Sequence, residues 1–286
     1  MKTKKHFDFH MHTNYSDGIL DPTNSVRTAR LNDLDYFSIT DHDTTDGLDE
    51  AFAEAKKYAA IIIPGVEIST NKYHILGLGI DYKNKELQDF LAKSRDAQKI
   101  VCERKVKLLQ NKGIPITMEK IQKLFPASRL GKGNIWFTMT QDNECREFFQ
   151  KIYSSPITYA LYSELIKGKT ALDTHTEITP EESIRQIHNA GGLAFIAHPF
   201  KQIKSLEEEL CLLREQGLDG LEVQPNFNGR NKETKEYALK HNMLITYGSD
   251  WHGGIFGRSI LTNLTEDNVL DAKLAEALGI NLKEEK

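Results

Sequence analysis

Residues 7 to 12, Phe-Asp-Phe-His-Met-His, alternate apolar and polar side chains without a break. A period of two predicts a half-buried β-strand on which His10 and His12 project to one side, two residues apart, which is a chelating spacing. Asp21 followed by Pro22 reads as the N-cap and first-turn proline of a helix reaching about residue 32, and "DYFSITDHD" as the next strand. A helix over residues 48 to 58 leads into "AIIIPGVEIST", an apolar run broken at Pro64-Gly65, and "YHILGLGI" is a further strand. This β-α-β rhythm predicts a largely parallel sheet.

From about residue 84 to 178 the pattern turns helical with no strand between. Phe90, Ala97, Val101 and Leu108 recur at helical spacing in a stretch rich in Lys and Arg, and Gly113 stands where that helix should stop. The earlier rhythm resumes at "TPEES", where Thr179 is placed as N-cap, Pro180 in the first turn and Glu182 three residues on, and Gly191-Gly192 closes the helix. Strand candidates "LAFIAHPF", "LDGLEVQPN" and "MLITYGSDWHG" follow, with a helix over residues 232 to 241 before the last. The predicted organisation is an α/β barrel from residues 1–83 and 179–286, interrupted by a helical cap at 84–178. Such a cap suits substrate selection, or serves as a structural or dimerising appendage.

Composition narrows the class. In 286 residues, 39% hydrophobic and 27% charged, nothing is collagen-like or disordered. A net charge of -4 gives no general attraction to nucleic acid or anionic lipid, so neither a duplex nor a membrane is an expected partner. The opening "MKTKK" is not followed by an apolar run, and three scattered cysteines without Cys-x-x-Cys spacing exclude a disulfide framework and a thiolate zinc site. The expected location is cytoplasmic.

Ligand-type residues concentrate at the predicted C-terminal ends of strands, where barrel enzymes keep their chemistry. "HMHTNYSDG", "TDHD", "GVE", "AHP" and "GSDWH" contribute His10, His12, Asp17, His42, Glu67, His198, Asp250 and His252, and "YHILG" adds His74 at a strand's beginning. Six of the ten histidines fall in this set, beside three carboxylates. Imidazole with carboxylate and no thiolate suits Mn, Fe or Zn. The set exceeds one ion's needs, and with Glu67 shared between two ions the arithmetic favours three.

In their order along the chain, "FDFHMHTNYSDG", "ITDHDT", "PGVEIS", "HILGLGID", "IAHPF" and "YGSDWHG" closely resemble the polymerase and histidinol phosphatase (PHP) superfamily. The resemblance spans residues 6 to 260 apart from the cap, and an insertion at this place is similar to the branch containing nucleoside phosphate and 3',5'-bisphosphate phosphatases. It implies a distorted, TIM-like barrel of seven strands and a trinuclear centre, with Mn the expected metal. One ion would be held by His10, His12, Glu67 and Asp250, a second by Glu67, His74 and His198, and a third by Asp17, His42 and His252.

Such a centre implies a phosphoesterase that attacks a small phosphate monoester with a metal-bridging hydroxide, a nucleoside 5'-monophosphate or 3',5'-bisphosphate above all. The alternative is a cyclic-phosphate diesterase or a 5'-end exonuclease on short RNA. Glu67, Asp250 and His252 are the expected catalytic ligands. Asp43 is expected to orient an imidazole, and Thr13 and Ser249 to bond metal-bound oxygens or form turns. Arg129, Lys132, Asn134 and Arg230 are the candidates for gripping phosphate. Trp136 and Phe137 either stack on a base or fill the cap core. Two other classes compete: an amidohydrolase, whose usual bridging lysine is not evident, and a metal-binding module without activity.

Overall fold

The alternation at residues 7 to 11 does become a strand, β1 (Phe7–Met11), but one buried on both faces. It pairs in parallel with β2 (Tyr36–Ile39), which pairs in parallel with β3 (Ile61–Ile62). A strand covered on two sides must bury its polar residues too, and Asp8 and His10 are fully buried. The computed structural model describes residues 5–126, 128–167, 176–203, 205–225, 230–254 and 268–282.

Between these strands lie α1 (Pro22–Leu31), whose N-cap Asp21 accepts from the Asn24 amide, and α2 (Leu48–Ala55). Pro64 lacks an N–H to continue β3, and the chain re-enters a second sheet as β4 (Gly65–Ser69). That sheet runs β4, β5 (His74–Leu78), β6 (Leu193–Ile196), β7 (Gly220–Val223), β8 (Leu244–Tyr247).

The expected all-round parallel order is broken at β5, which runs antiparallel to both β4 and β6. Residues 70 to 73 between β4 and β5 are far too few for a parallel crossover. They fold as a turn in which Thr70 Oγ1 accepts from the Tyr73 amide at 2.9 Å. The remaining pairs, β6 with β7 and β7 with β8, are parallel.

Among the described residues the eight strands form two sheets of three and five rather than one hydrogen-bonded ring of seven. Among the described residues the isolated bridges His42↔Glu67 and Met11↔Trp251 link the first sheet to the second and to the loop after β8, and both lie near strand ends that carry ligand-type side chains.

The segment after β5 opens with α3 (Lys85–Gln110), capped by Asn84. Its first turns place Leu87, Phe90 and Leu91 in a core with Val66, Ile75 and Ile196 of the sheet. Its last turns place Cys102, Val106 and Leu109 in a second core. There they meet α4 (Met118–Leu124), α5 (Lys132–Gln141), α6 (Asn143–Tyr153) and α7 (Tyr159–Leu165) through Ile121, Ile135, Phe149 and Tyr162. Gly113, at φ 81°, ends α3 as its position suggests. Trp136 and Phe137 pack against this second core, Trp136 edge-on to Tyr159 at 5.5 Å, which answers the choice left open for them in favour of cap packing.

The chain returns through α8 (Pro180–Asn189), whose N-cap Thr179 accepts from Glu182 as expected, then α9 (Pro199–Gln202), α10 (Leu206–Glu215), α11 (Arg230–Lys240) and α12 (Ala272–Ala277). The end of the expected cap, residues 168–175, lies outside the described residues.

The helical segment after β5 is stitched to the β1–α1 loop. Three successive carbonyls of that loop accept from the segment around α5: Asn14 from Ser128 Oγ, Tyr15 from the Arg129 amide at 2.8 Å, and Ser16 from Asn134 Nδ2 at 2.8 Å. That loop also carries Asp17, so the helical segment is fixed directly beside the candidate chemistry.

Candidate metal centre

All nine ligand-type residues come together. His10 Nε2 and His12 Nε2 face each other at 3.0 Å. Glu67 Oε2 lies 3.2 Å from His10 Nε2, 3.3 Å from His12 Nε2 and 3.1 Å from His42 Nδ1. Its other oxygen, Oε1, lies 3.0 Å from His74 Nδ1 and 2.9 Å from His198 Nε2. Asp250 Oδ1 stands 3.6 and 3.4 Å from the same two nitrogens of His10 and His12. Asp17 Oδ1 is 3.1 Å from His252 Nε2 and 3.9 Å from His42 Nε2.

Donor atoms within 4.8 Å of one another fall into three groups: His10, His12, Glu67 and Asp250; His42, Glu67 and His74; His12, Asp17, His42 and His252. The first reproduces an expected set. In the second, His42 takes the place anticipated for His198, although His198 still touches Glu67, and in the third His12 joins the expected residues.

The surrounding chain holds these side chains in place. Asp8 Oδ1 accepts from the amides of His10 at 3.1 Å and Ser249 at 3.0 Å, locking the β1 end to the loop after β8. Glu222, within β7, accepts from His10 Nδ1 at 2.6 Å and from the His198 amide at 2.5 Å. We assign the His10 proton to Nδ1 on that contact, which turns the Nε2 lone pair towards Glu67 and His12. His252 is set the same way, its Nδ1 2.8 Å from the Asp250 carbonyl.

Asp43, His198 and Asp250 have φ of 54°, 31° and 56°, left-handed values that a non-glycine residue adopts only where its surroundings hold it. Gly248 has no alternative residue, because an added Cβ would sit 2.0 Å from Glu222 Oε1 and 2.3 Å from the His10 Cβ.

Electrostatics separates the roles. Burial works to raise the carboxyls of Glu67 and Asp17, yet the imidazoles beside them, His42 and His10 for Glu67 and His252 and His42 for Asp17, hold both well below the usual range. Burial keeps His42 well below the ordinary imidazole value and takes His198 down to about 3, so both are neutral, the form that coordinates metal. Burial opposes charge on His10 and His12 as well. There the carboxylates win, Glu222 foremost for His10, and His12 is carried to about 9.

Two features show that divalent cations fit. Glu67 Oε2 and Asp17 Oδ1 are buried without a hydrogen bond although each is surrounded by imidazole nitrogens, and a buried carboxylate oxygen left so is costly. The facing Nε2 atoms of His10 and His12, which draw protons where no cation lies between them, offer two lone pairs to a metal that displaces those protons. A cation among oxygen and imidazole donors satisfies both.

Beside the cluster is a cavity of about 230 Å³, lined by Asp17, His42 and His74 together with Lys105, Arg129 and Lys132. Arg129 donates from Nε to Asp43 Oδ2 at 2.8 Å and from Nη2 to Ser69 Oγ at 2.6 Å. Asp43 also accepts from the Ser69 amide and Ser94 Oγ. Asp43 thus orients a guanidinium, not the imidazole expected of it, because its left-handed backbone turns the carboxylate towards the cap.

Asn134 is committed at both ends, to the Gly131 amide and the Ser16 carbonyl, and positions the cap loop without facing the cavity. Arg230 stacks on Phe200 at 3.8 Å, away from the cavity wall. Thr13 donates to Asp41, and the Ser249 amide to Asp8, so each braces a loop. Sequence reasoning missed Glu222, Asp41, Lys105 and Lys201, whose Nζ lies 2.7 Å from Asp250 Oδ2. For Lys105 a signal existed: it continues the α3 face of Ser94 and Gln98 at helical spacing, flanked by buried Cys102 and Val106.

Known proteins resemble this chain. The PHP domain profile matches residues 8–126. A 5'-3' exoribonuclease, Rnm, of Escherichia coli is 30% identical over 257 residues, covering 86% of this chain and 85% of that protein. A 3',5'-nucleoside bisphosphate phosphatase of Chromobacterium violaceum is 28% identical, covering 88% of this chain and 90% of its own. The crystal structure described as a metal-dependent phosphoesterase from Bifidobacterium adolescentis superposes with a TM-score of 0.79 at 26% identity over 97% of this chain and 98% of that one. Together with the buried His and carboxylate cluster built above, these likenesses place the chain in the PHP family of metal-dependent phosphoesterases, to which it belongs.

Proposed function

We propose that this phosphoesterase works at the 5' end of short, 5'-phosphorylated RNA, cleaving phosphodiester bonds from that end. The observation that carries the reading is that Lys105, Arg129 and Lys132 line the same cavity as Asp17, His42 and His74 of the cluster. Asn71 and Lys72 of that cavity also line an adjoining hollow of about 250 Å³ with Tyr73, Pro180 and Gln216, leaving room for a chain that continues past the first nucleotide. The exoribonuclease relative supports the same reading. It replaces the monoester as the leading substrate.

In this proposal the nine residues hold three divalent ions, Mn foremost, in the sets named above. Bound ions of this kind supply an activated water as nucleophile and neutralise charge on the phosphoryl oxygens. The chain does the rest. Water oxygen adds to phosphorus, the bond from phosphorus to the ribose oxygen breaks, and the proton ends on the departing hydroxyl. Glu222 and the Asp250 carbonyl fix the imidazole faces of His10 and His252. Asp43 and Ser69 aim the Arg129 guanidinium along the cavity wall. The helical segment at 84–178 acts as the cap that selects substrate, its loop closing over Asp17 and limiting bulk water.

A second reading, favoured by the small cavity and by the bisphosphate phosphatase relative, is removal of a phosphate from a nucleoside 3',5'-bisphosphate. The test is Mn-loaded protein assayed on a 5'-phosphorylated RNA trinucleotide, adenosine 3',5'-bisphosphate and 5'-AMP, with Glu67→Ala as control. Mononucleotide release from the RNA, absent in the control, is expected. Turnover of the bisphosphate with an intact trinucleotide would transfer the assignment to the second reading.

A further inference from the structure

Three contacts fix the side chain of Gln202, the last residue of α9. Its Oε1 accepts from the His74 amide at 2.8 Å, and its Nε2 donates to the Ala197 carbonyl at 2.8 Å and lies 3.0 Å from His198 Nδ1. The two backbone partners decide which end of the side-chain amide is oxygen and which is nitrogen, because the reverse orientation would set carbonyl against carbonyl and N–H against N–H. A donor therefore faces His198 Nδ1.

A neutral imidazole, which burial makes of His198, carries one N–H. With Nδ1 accepting from Gln202, the ring proton sits on Nε2 and points at Glu67 Oε1, 2.9 Å away. His198 is in this respect the reverse of His10 and His252. Glu222 and the Asp250 carbonyl accept from Nδ1 of those two rings and leave their Nε2 lone pairs to face the cluster. The fold thus backs His10 with an acceptor and His198 with a donor, and among the described residues His198 belongs to none of the three groups of converging donor atoms.

A cation on His198 needs the Nε2 lone pair, so the ring proton must move to Nδ1, where it meets the Gln202 amide hydrogens. We propose that Gln202 is a positioning residue that keeps the His198 proton on Nε2 and thereby makes the ion shared by Glu67, His74 and His198 the most weakly held and exchangeable of the three. This rests on the three-ion centre proposed above and adds an order of occupancy to it. When that ion leaves, the His198 N–H holds Glu67 Oε1 in its place, so the carboxylate that serves the other ions does not swing away.

The experiment has two readouts, neither of them turnover. Metal-free wild type carrying labelled histidine is examined by two-bond proton–nitrogen correlation, with His198 assigned by the signals lost in His198→Asn. A protonated Nε2 and a bare Nδ1 are expected; a protonated Nδ1 would overturn the proposal. Competition of Mn against a chromophoric chelator then compares wild type, Gln202→Met and Gln202→Glu. Met removes the opposing amide and should tighten the weakest ion about 10-fold, and Glu, which gives Nδ1 an acceptor, should tighten it by up to about 100-fold.

A merely structural role predicts the opposite sign, since Met strips the contacts to His74 and Ala197. Affinity of the Met variant equal to or below wild type would overturn the proposal even if Glu bound more tightly, because added negative charge alone would do that. If wild type takes up fewer than three ions, the three-ion reading fails for it, and Gln202→Met still decides the role of the amide: recovery of the missing ion supports the proposal and continued absence rejects it.

Discussion

Glu222 offers the sharpest test of how the candidate metal centre is held. It is fully buried in β7, and its two oxygens receive His10 Nδ1 at 2.6 Å and the His198 amide at 2.5 Å. Replacing it with glutamine preserves shape but leaves one acceptor where two are needed, so either the His10 ring or the left-handed His198 backbone loses its partner. A hydrogen bond to a charged group contributes about 1.5–3 kcal/mol, and residues that orient metal-bound imidazoles typically cost about 10–100-fold in metal affinity when changed. Glu222→Gln is therefore expected to weaken divalent binding within that range. It should also lower stability by about 2 kcal/mol even with chelator present.

The assay is competition of Mn and Zn against a chromophoric chelator, beside urea unfolding of the chelated protein. Loss of stability with metal affinity unchanged would refute the reasoning, because Glu222 would then hold β7 and the His198 turn without presenting His10. Full retention of both would show that the short contacts carry no weight.

The bridge between cap and site gives a second prediction. Removing the guanidinium in Arg129→Met leaves Asp43 buried with its charge unpaired, which should cost about 3–5 kcal/mol, while adding Asp43→Asn should recover most of that in urea unfolding; equal stability of single and double variants would discount the pair. Lys105 gives a third, opposite in sign. Its fall from 10.5 to about 8 corresponds to about 3.4 kcal/mol at full strength and nearer about 1–2 kcal/mol after allowing for the solvent that reaches this partly buried group. The folded state bears that penalty fully below pH 8 and sheds it as pH climbs towards 10.5, the ordinary lysine value. Lys105→Met should therefore be more stable than wild type at pH 7, with the advantage shrinking between pH 8 and 10.5; a destabilised variant would mean that the side chain serves packing.

The members of the His and carboxylate cluster were legible in the sequence and their supports were not, for a physical reason. A metal ligand is recognisable by residue type and by its place at the end of a strand, so His10, His12, Glu67 and Asp250 could be gathered before any contact was known. A support is defined only by proximity in space. Glu222 is 212 residues from His10, and on a strand buried on both faces alternation says nothing about which polar residue is turned to the site. Asp43 shows the converse error. Its position next to His42 suggested an imidazole partner, but a positive φ redirects it to Arg129, 86 residues on.

The reversed direction of β5 was, by contrast, readable and overlooked, since the residues between β4 and β5 could make only a hairpin. That hairpin has a functional consequence. Because β5 runs against its neighbours, its first residue, His74, lies at the same end of the sheet as the last residues of β4 and β6, paired with Ser69 and within reach of Glu67 and His198. A parallel β5 would have carried His74 to the far end, away from the carboxylate it approaches at 3.0 Å. Among the described residues β5, which departs from the parallel order, is thus the strand whose cluster residue sits at its start, and the departure is what brings His74 to Glu67.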